Sequence, residues 1–157
     1  MCFDARTRRA VGTRSKGMFE AHLRIQYGAL PFRIKEGRAV VLLVTTRETG
    51  RWIIPKGWPK RGVKPHKLAA REAYEEAGLV GKVSRRSCGQ FHYTKRLRTG
   101  EAVACAVEVF PMEVRRELDD WPEKGQRRRS WIPPAEAALL VEEPELAALL
   151  GRVKLVV

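Results

Sequence analysis

The sequence predicts an α/β protein, a mixed β-sheet sandwiched between helices. Three observations predict it. Segments with strand character and segments with helical character come in the order β-rich, helix, β-rich, helix, which suits a mixed sheet covered by helices. Residues 39–46, Ala-Val-Val-Leu-Leu-Val-Thr-Thr, form an unbroken, largely β-branched apolar run, the mark of a strand buried on both faces. Residues 65–78 read as a helix whose alanines are small enough to let it pack close to a sheet.

In chain order, residues 1–20 carry Arg6, Arg8, Arg9, Arg14 and Lys16 with little apolar periodicity, and are expected to be a flexible basic arm ahead of a domain over residues 21–157. Residues 23–30 alternate as a strand. The buried strand 39–46 follows, and residues 51–55 make a short strand ending at Pro55. Residues 56–65 are rich in Gly and Pro and read as a loop. Pro65 suits a first helical turn and Gly78 a C-terminal cap, which bounds the helix. Further strands are expected around residues 81–87, 90–94, 102–110 and 127–132, with a polar loop over 119–125. Pro133 and Pro134 open a closing helical region to Leu150, divided by Pro144.

The bulk properties narrow the function. A chain of 157 residues fits one domain with one core. Its 31 Lys+Arg against 18 Asp+Glu give a net charge of +13, which attracts polyanions: nucleic acid, an anionic membrane or a polyphosphorylated small molecule. Three cysteines, Cys2, Cys88 and Cys105, are widely spaced, so neither a disulfide framework nor a Cys-based zinc site is expected, and a reducing cytoplasmic setting is the default. No apolar run has the length of a membrane span, and the first residues lack the apolar stretch of a signal peptide.

The chemistry concentrates on the helix at 65–78. At about 100° per residue, Glu72, Glu75 and Glu76 fall on one side, and Ala69, Ala70, Ala73, Tyr74 and Ala77 are expected to cover the other. A charge run is ordinarily a solvated face. Three mutually repelling carboxylates in so basic a protein nevertheless call for a cause. A hard divalent cation such as Mg²⁺ (or Mn²⁺), which takes oxygen ligands, supplies one.

The surrounding residues resemble the Nudix box, G-x5-E-x7-R-E-U-x-E-E-x-G-U. Gly57 matches its first glycine, and Arg71-Glu72-Ala73-Tyr74-Glu75-Glu76-Ala77-Gly78-Leu79 matches its second half. The glutamate of G-x5-E falls on Val63, which leaves Arg71 without that partner. The resemblance covers roughly residues 23–150 and implies a Nudix-type α/β/α sandwich with a loop-helix catalytic motif. It implies metal at Glu72, Glu75, Glu76 and the Gly57 carbonyl, with Glu75 as general base and Arg71 among the catalytic residues. Carboxylates beside cations have depressed pKa values, so all three glutamates are expected to be ionised at neutral pH.

Within that family the chain is most similar to diphosphoinositol polyphosphate and diadenosine polyphosphate hydrolases. The similar elements are Thr45-Thr46-Arg47 before the box, the basic patch Lys95-Arg96-Leu97-Arg98, and Asp120-Trp121-Pro122 followed by the basic run Arg127–Trp131. The resemblance then implies substrate phosphates at Arg47, Lys56, Arg96 and Arg127. The expected reaction is hydrolysis of a phosphoanhydride in a polyphosphorylated small molecule. Two alternatives stand beside it: a pyrophosphohydrolase acting on capped RNA or a nucleoside triphosphate, and a catalytically weak Nudix domain that binds nucleotides or nucleic acid. Trp121 and Trp131 read as packing residues.

Overall fold

The computed structural model describes residues 23–156, so the basic arm expected at residues 1–20 lies outside the described residues. The strands are β1 (Arg24–Lys35), β2 (Arg38–Thr45), β3 (Trp52–Ile53), β4 (Lys56–Gly57), β5 (Leu79–Val83), β6 (Gly89–Arg96), β7 (Ala102–Glu117) and β8 (Arg129–Ile132). The helices are α1 (Pro65–Ala77), α2 (Pro134–Leu140) and α3 (Pro144–Arg152). The sheet is mixed. Its main path runs β3-β2-β1-β7-β5, with β4 pairing β1, β6 pairing β7 and β8 pairing β2. Among the described residues only β1 and β7 run parallel, in register from Arg24 opposite Cys105 to Phe32 opposite Glu113.

α1 packs on β1, β4 and β5, while α2 packs on β2 and α3 on β6, which makes the α/β/α sandwich expected from the sequence. Val41, Leu42, Leu43 and Val44 are fully buried, as the unbroken apolar run requires. Burying each such side chain stabilises the fold by roughly 1.5–3 kcal/mol.

Three strands outrun the sequence reading, β6 only slightly, from Gly89 to Arg96. β1 continues past Leu30 to Lys35, because Phe32 alternates back into the core and Glu36 and Gly37, with φ of 53° and 76°, close a two-residue hairpin to β2. β7 continues past Pro111 to Glu117, since β5 and β1 flank it on either side and Met112 and Phe110 are buried. The fifth strand begins at Leu79, not 81, and ends at Val83. Gly78 reverses the chain in the left-handed region, φ 67°, and the chain enters the sheet at once. Lys56 and Gly57, read as loop, pair with Gly28 and Tyr27. That pairing carries the segment before α1 onto the centre of the sheet.

Candidate functional site

α1 begins at Pro65 and is closed by the Gly78 amide donating to Tyr74 O at 2.9 Å. Its buried face is Leu68, Ala69, Glu72, Ala73, Glu76 and Ala77. This corrects the expected segregation of acids from alanines. Glu72 and Glu76 fall between Leu68 and Ala69 around the helix, so the face that packs on the sheet carries them inward. They are only 8% and 7% exposed. Glu75 sits at the rim, its Oε1 3.8 Å from Lys60 Nζ, with its side chain 31% exposed. Arg71 lies about 100° further round the helix from Glu72. It is exposed and does not line the cleft described next.

The cleft has a volume of about 680 Å³. Its walls are the tip of the β2–β3 hairpin, β4, the buried acids of α1, the ends of β6 and the loop before β8. Of the residues singled out in the sequence, Arg47, Lys56, Gly57, Glu72, Glu76, Arg96 and Arg127 line it, whereas Glu75 and Arg71 do not. Gly57 presses against Glu72: a methyl group there would come within 3.0 Å of the carboxylate, 2.8 Å from Oε2. A side chain at this position would push the Glu72 carboxylate aside.

Arg127 is the organiser of the opposite wall. Its side chain is 11% exposed. It donates to Glu123 Oε1 from Nε at 3.2 Å and from Nη2 at 3.1 Å, and to Thr45 O at 3.2 Å. Nη2 also lies 3.4 Å from Glu76 Oε1. Glu123 in turn is 3.6 Å from Arg47, which donates to Gln126 at 3.3 Å. Arg96 donates to Gly100 O at 3.1 Å within its own hairpin. Lys56 stands over the Tyr93 ring, 4.8 Å from its centroid, and Tyr93 donates to Gln26 at 2.5 Å.

Burial dominates the electrostatics. It pushes the Glu72 carboxyl up to about 7, with Glu75 adding repulsion. It raises Glu76 as well, against the pull of Arg127 and Lys56. The expectation that all three glutamates stand ionised at neutral pH therefore fails for the protein alone. Desolvation outweighs the neighbouring cations. Lys56 is lowered to about 8, again chiefly by burial.

Among the described residues, no three Asp, Glu, His or Cys side chains converge tightly enough to form a complete metal cage. The buried Glu72 carboxylate does meet the backbone at Gly57, with Glu76 one turn on in the same cleft, and Glu72 makes no hydrogen bond or ion pair among the described residues. A carboxylate pushed up to about 7 chiefly by burial, with no ion-pair partner among the described residues, fits a hard divalent cation, which takes oxygen ligands and offsets the cost of burying the charge.

Residues 22–152 match the family model described as "NUDIX domain". The chain belongs to the Nudix family of hydrolases. Nudix hydrolases generally use divalent metal ions. Nudix hydrolase 21, chloroplastic, of Arabidopsis thaliana is 30% identical over 119 residues, 73% of this chain and 58% of that protein, so the chain spans well under two thirds of that relative. Diphosphoinositol polyphosphate phosphohydrolase 2 of Rattus norvegicus is 32% identical over 130 residues, 80% of this chain and 68% of that one. In fold, the chain is similar to a C. elegans Ap4A hydrolase binary complex, with a TM-score of 0.61 at 17% identity over 82% of this chain and 93% of the other.

Several lining residues of this Nudix domain had no distinct sequence signal: Gln26, Arg51, Lys60 and Tyr93. Glu123 had none either, since it meets Arg127 within a turn and not on a helix. The tryptophans pack, as expected. Trp121 lies against Gly78, where a Cβ would meet its ring at 2.6 Å, and Arg129 covers it at 4.2 Å. Trp131 donates to Glu117 at 2.8 Å beneath Arg33.

Proposed function

We propose that this Nudix hydrolase cleaves a P–O–P linkage in a compact, polyphosphorylated small molecule with Mg²⁺ or Mn²⁺. A diphosphoinositol polyphosphate is the foremost candidate and a diadenosine polyphosphate the second. One observation carries the reading: two buried carboxylates lie in a cleft lined by eight Lys and Arg and only four Glu. Such a lining attracts several phosphates at one end while reserving an oxygen-rich corner for a cation.

A bound divalent cation would neutralise charge on the phosphate oxygens and the leaving group. Glu72, Glu76 and the Gly57 carbonyl are the groups proposed to hold it. Glu75 is proposed as the general base. It is the most exposed of the three box glutamates, and Lys60 beside it restrains its carboxylate. It would take a proton from water as that water's oxygen attacks phosphorus and the bridging P–O bond breaks. Arg127, fixed by Glu123 and Thr45 O, presents a rigid guanidinium beside Glu76, suited to a phosphate oxygen. Arg47, Lys56 and Arg96 would hold the remaining phosphates.

The aromatic rings of the cleft favour the inositol substrate over the dinucleotide. Lys95 stands 5.2 Å from the Trp58 centroid and Lys56 4.8 Å from that of Tyr93, so a stacking nucleobase would have to displace a cation. The test is a panel of phosphoanhydrides with Mg²⁺ and Mn²⁺ and identification of the products. Turnover that chelator abolishes and metal restores is the expected result. A folded protein that hydrolyses none of the panel, or is fully active in excess chelator, refutes the reading.

A further inference from the structure

Arg51 lines the cleft with only one corner of its side chain engaged. Nη1 donates to Glu143 at 2.6 Å and to Glu142 at 3.3 Å. Among the described residues Nη2 and Nε have no hydrogen-bond partner, yet they are not sealed from water, and the side chain is 28% exposed. Two donors of a planar fork are thus left open. The backbone beneath is fixed too: Arg51 N donates to Thr46 Oγ1 at 3.0 Å and its carbonyl accepts from Thr46 N at 2.8 Å.

Glu143 is equally constrained. It sits at the turn between α2 and α3, its carbonyl accepts from Ala147 N at 3.0 Å, and it is 6% exposed. Its Oε2 is buried without a partner. Burying a charge this way is a poor way to gain stability, because apolar contacts of the same volume do as well or better. What the pair does provide is a guanidinium that cannot swing away from the cleft. Glu76, Glu123 and Arg127 belong to a separate network with no bond to Arg51 among the described residues.

We propose that Arg51 is a phosphate-binding, specificity-determining residue, positioned by Glu143 to grip a substrate phosphate outside the linkage being cleaved. This rests on the hydrolase reading above. It favours substrates with additional phosphates over simple diphosphates.

The experiment is steady-state kinetics with Mg²⁺ on a diphosphoinositol polyphosphate and on a plain dinucleoside diphosphate. Arg51→Gln should raise KM for the first about tenfold, the scale of one charge-assisted contact, with kcat within about threefold, and change KM for the second by less than about twofold. That variant leaves Glu143 buried alone, so the decisive protein is Arg51→Gln with Glu143→Gln, which removes both charges. Its melting temperature should recover while KM stays raised. Arg51→Lys, which keeps the charge without the open donors, should lie between. Parental KM in the double variant overturns the proposal and makes the pair a structural latch. If no phosphoanhydride is turned over by the parent, the hydrolase reading has failed. Calorimetric titration with inositol hexakisphosphate then decides Arg51 alone: equal affinity for parent and double variant refutes it, and weaker binding by the double variant supports it.

Discussion

Replacing Gly57 with alanine tests the site at its tightest point. The added Cβ would lie 2.8 Å from Glu72 Oε2 and nearer still to Cδ and Oε1, whereas ordinary contact begins at 3.4 Å. Even Oε2 must retreat by about 0.6 Å, and the carboxylate as a whole by roughly 1 Å, a displacement that in an active site can cost on the order of a hundredfold in rate. The backbone is not the obstacle, since Gly57 is absent from the positive-φ glycines, and what must move is the end of a flexible side chain. The cost to folding should therefore be small, ~1–3 kcal/mol. The assay is kcat and the Mg²⁺ midpoint on the best substrate of the panel, with a thermal melt alongside. Activity should fall by about a hundredfold, with a weaker metal midpoint, in a protein that still melts cooperatively. Activity within about threefold of the parent would refute the argument that Glu72 must sit where Gly57 lets it.

The buried acids predict opposite effects on stability and catalysis. Glu72→Gln should cut turnover by at least about a hundredfold. At pH 8 without metal it should also raise stability by about 1–2 kcal/mol, a gain discounted for water at the cleft and readable as a melting shift of several degrees. A destabilised variant would contradict the raised carboxyl. The pH dependence follows with its sign: Glu72, up to about 7, and Glu76, also raised, hold protons in the folded state, so their contribution is full below the unfolded value near 4.5 and is lost as pH climbs through 7. In chelator the parent should thus lose melting temperature from pH 5 to 7 relative to the Glu72→Gln/Glu76→Gln double variant; Lys56, lowered to about 8, titrates above this window. Parallel slopes would show that these groups are not responsible. Val63→Glu, which restores the acid of the family pattern, should raise kcat if Arg71 can be paired across that turn; unchanged kcat with a lower melting temperature would show that valine is settled in its half-buried place.

What was legible in the sequence was local. Pro65 and Gly78 bound α1, Pro144 divides the final helices, and the acid pattern with its flanking arginine marks the family, because caps, kinks and motif spacing are written within a few residues. The longer reach of β1 and β7 was not legible. Pro31 and Pro111 look like strand breakers alone, and only the parallel ladder, which sets Pro31 opposite Met112 and Leu30 opposite Pro111, shows that both strands run on through them. The inward turn of Glu72 and Glu76 was hidden for a similar reason. A helical wheel gives angles, but which angle meets the sheet depends on where β4 lies. Arg51 and Glu143 are 92 residues apart, and no pattern along the chain announces that they meet.

The parallel pairing of β1 with β7 also sets an order of events. Arg24 waits for Cys105, and Phe32 for Glu113, before the first strand has its inner neighbour. During synthesis the acid-bearing helix is finished by Ala77, yet the strand beneath it is still missing one edge partner for some thirty residues more. Long-range pairing of this kind closes late and slowly. A nascent chain halted before β7 would own every residue of its motif, with β1 and β5 beneath the helix still unjoined.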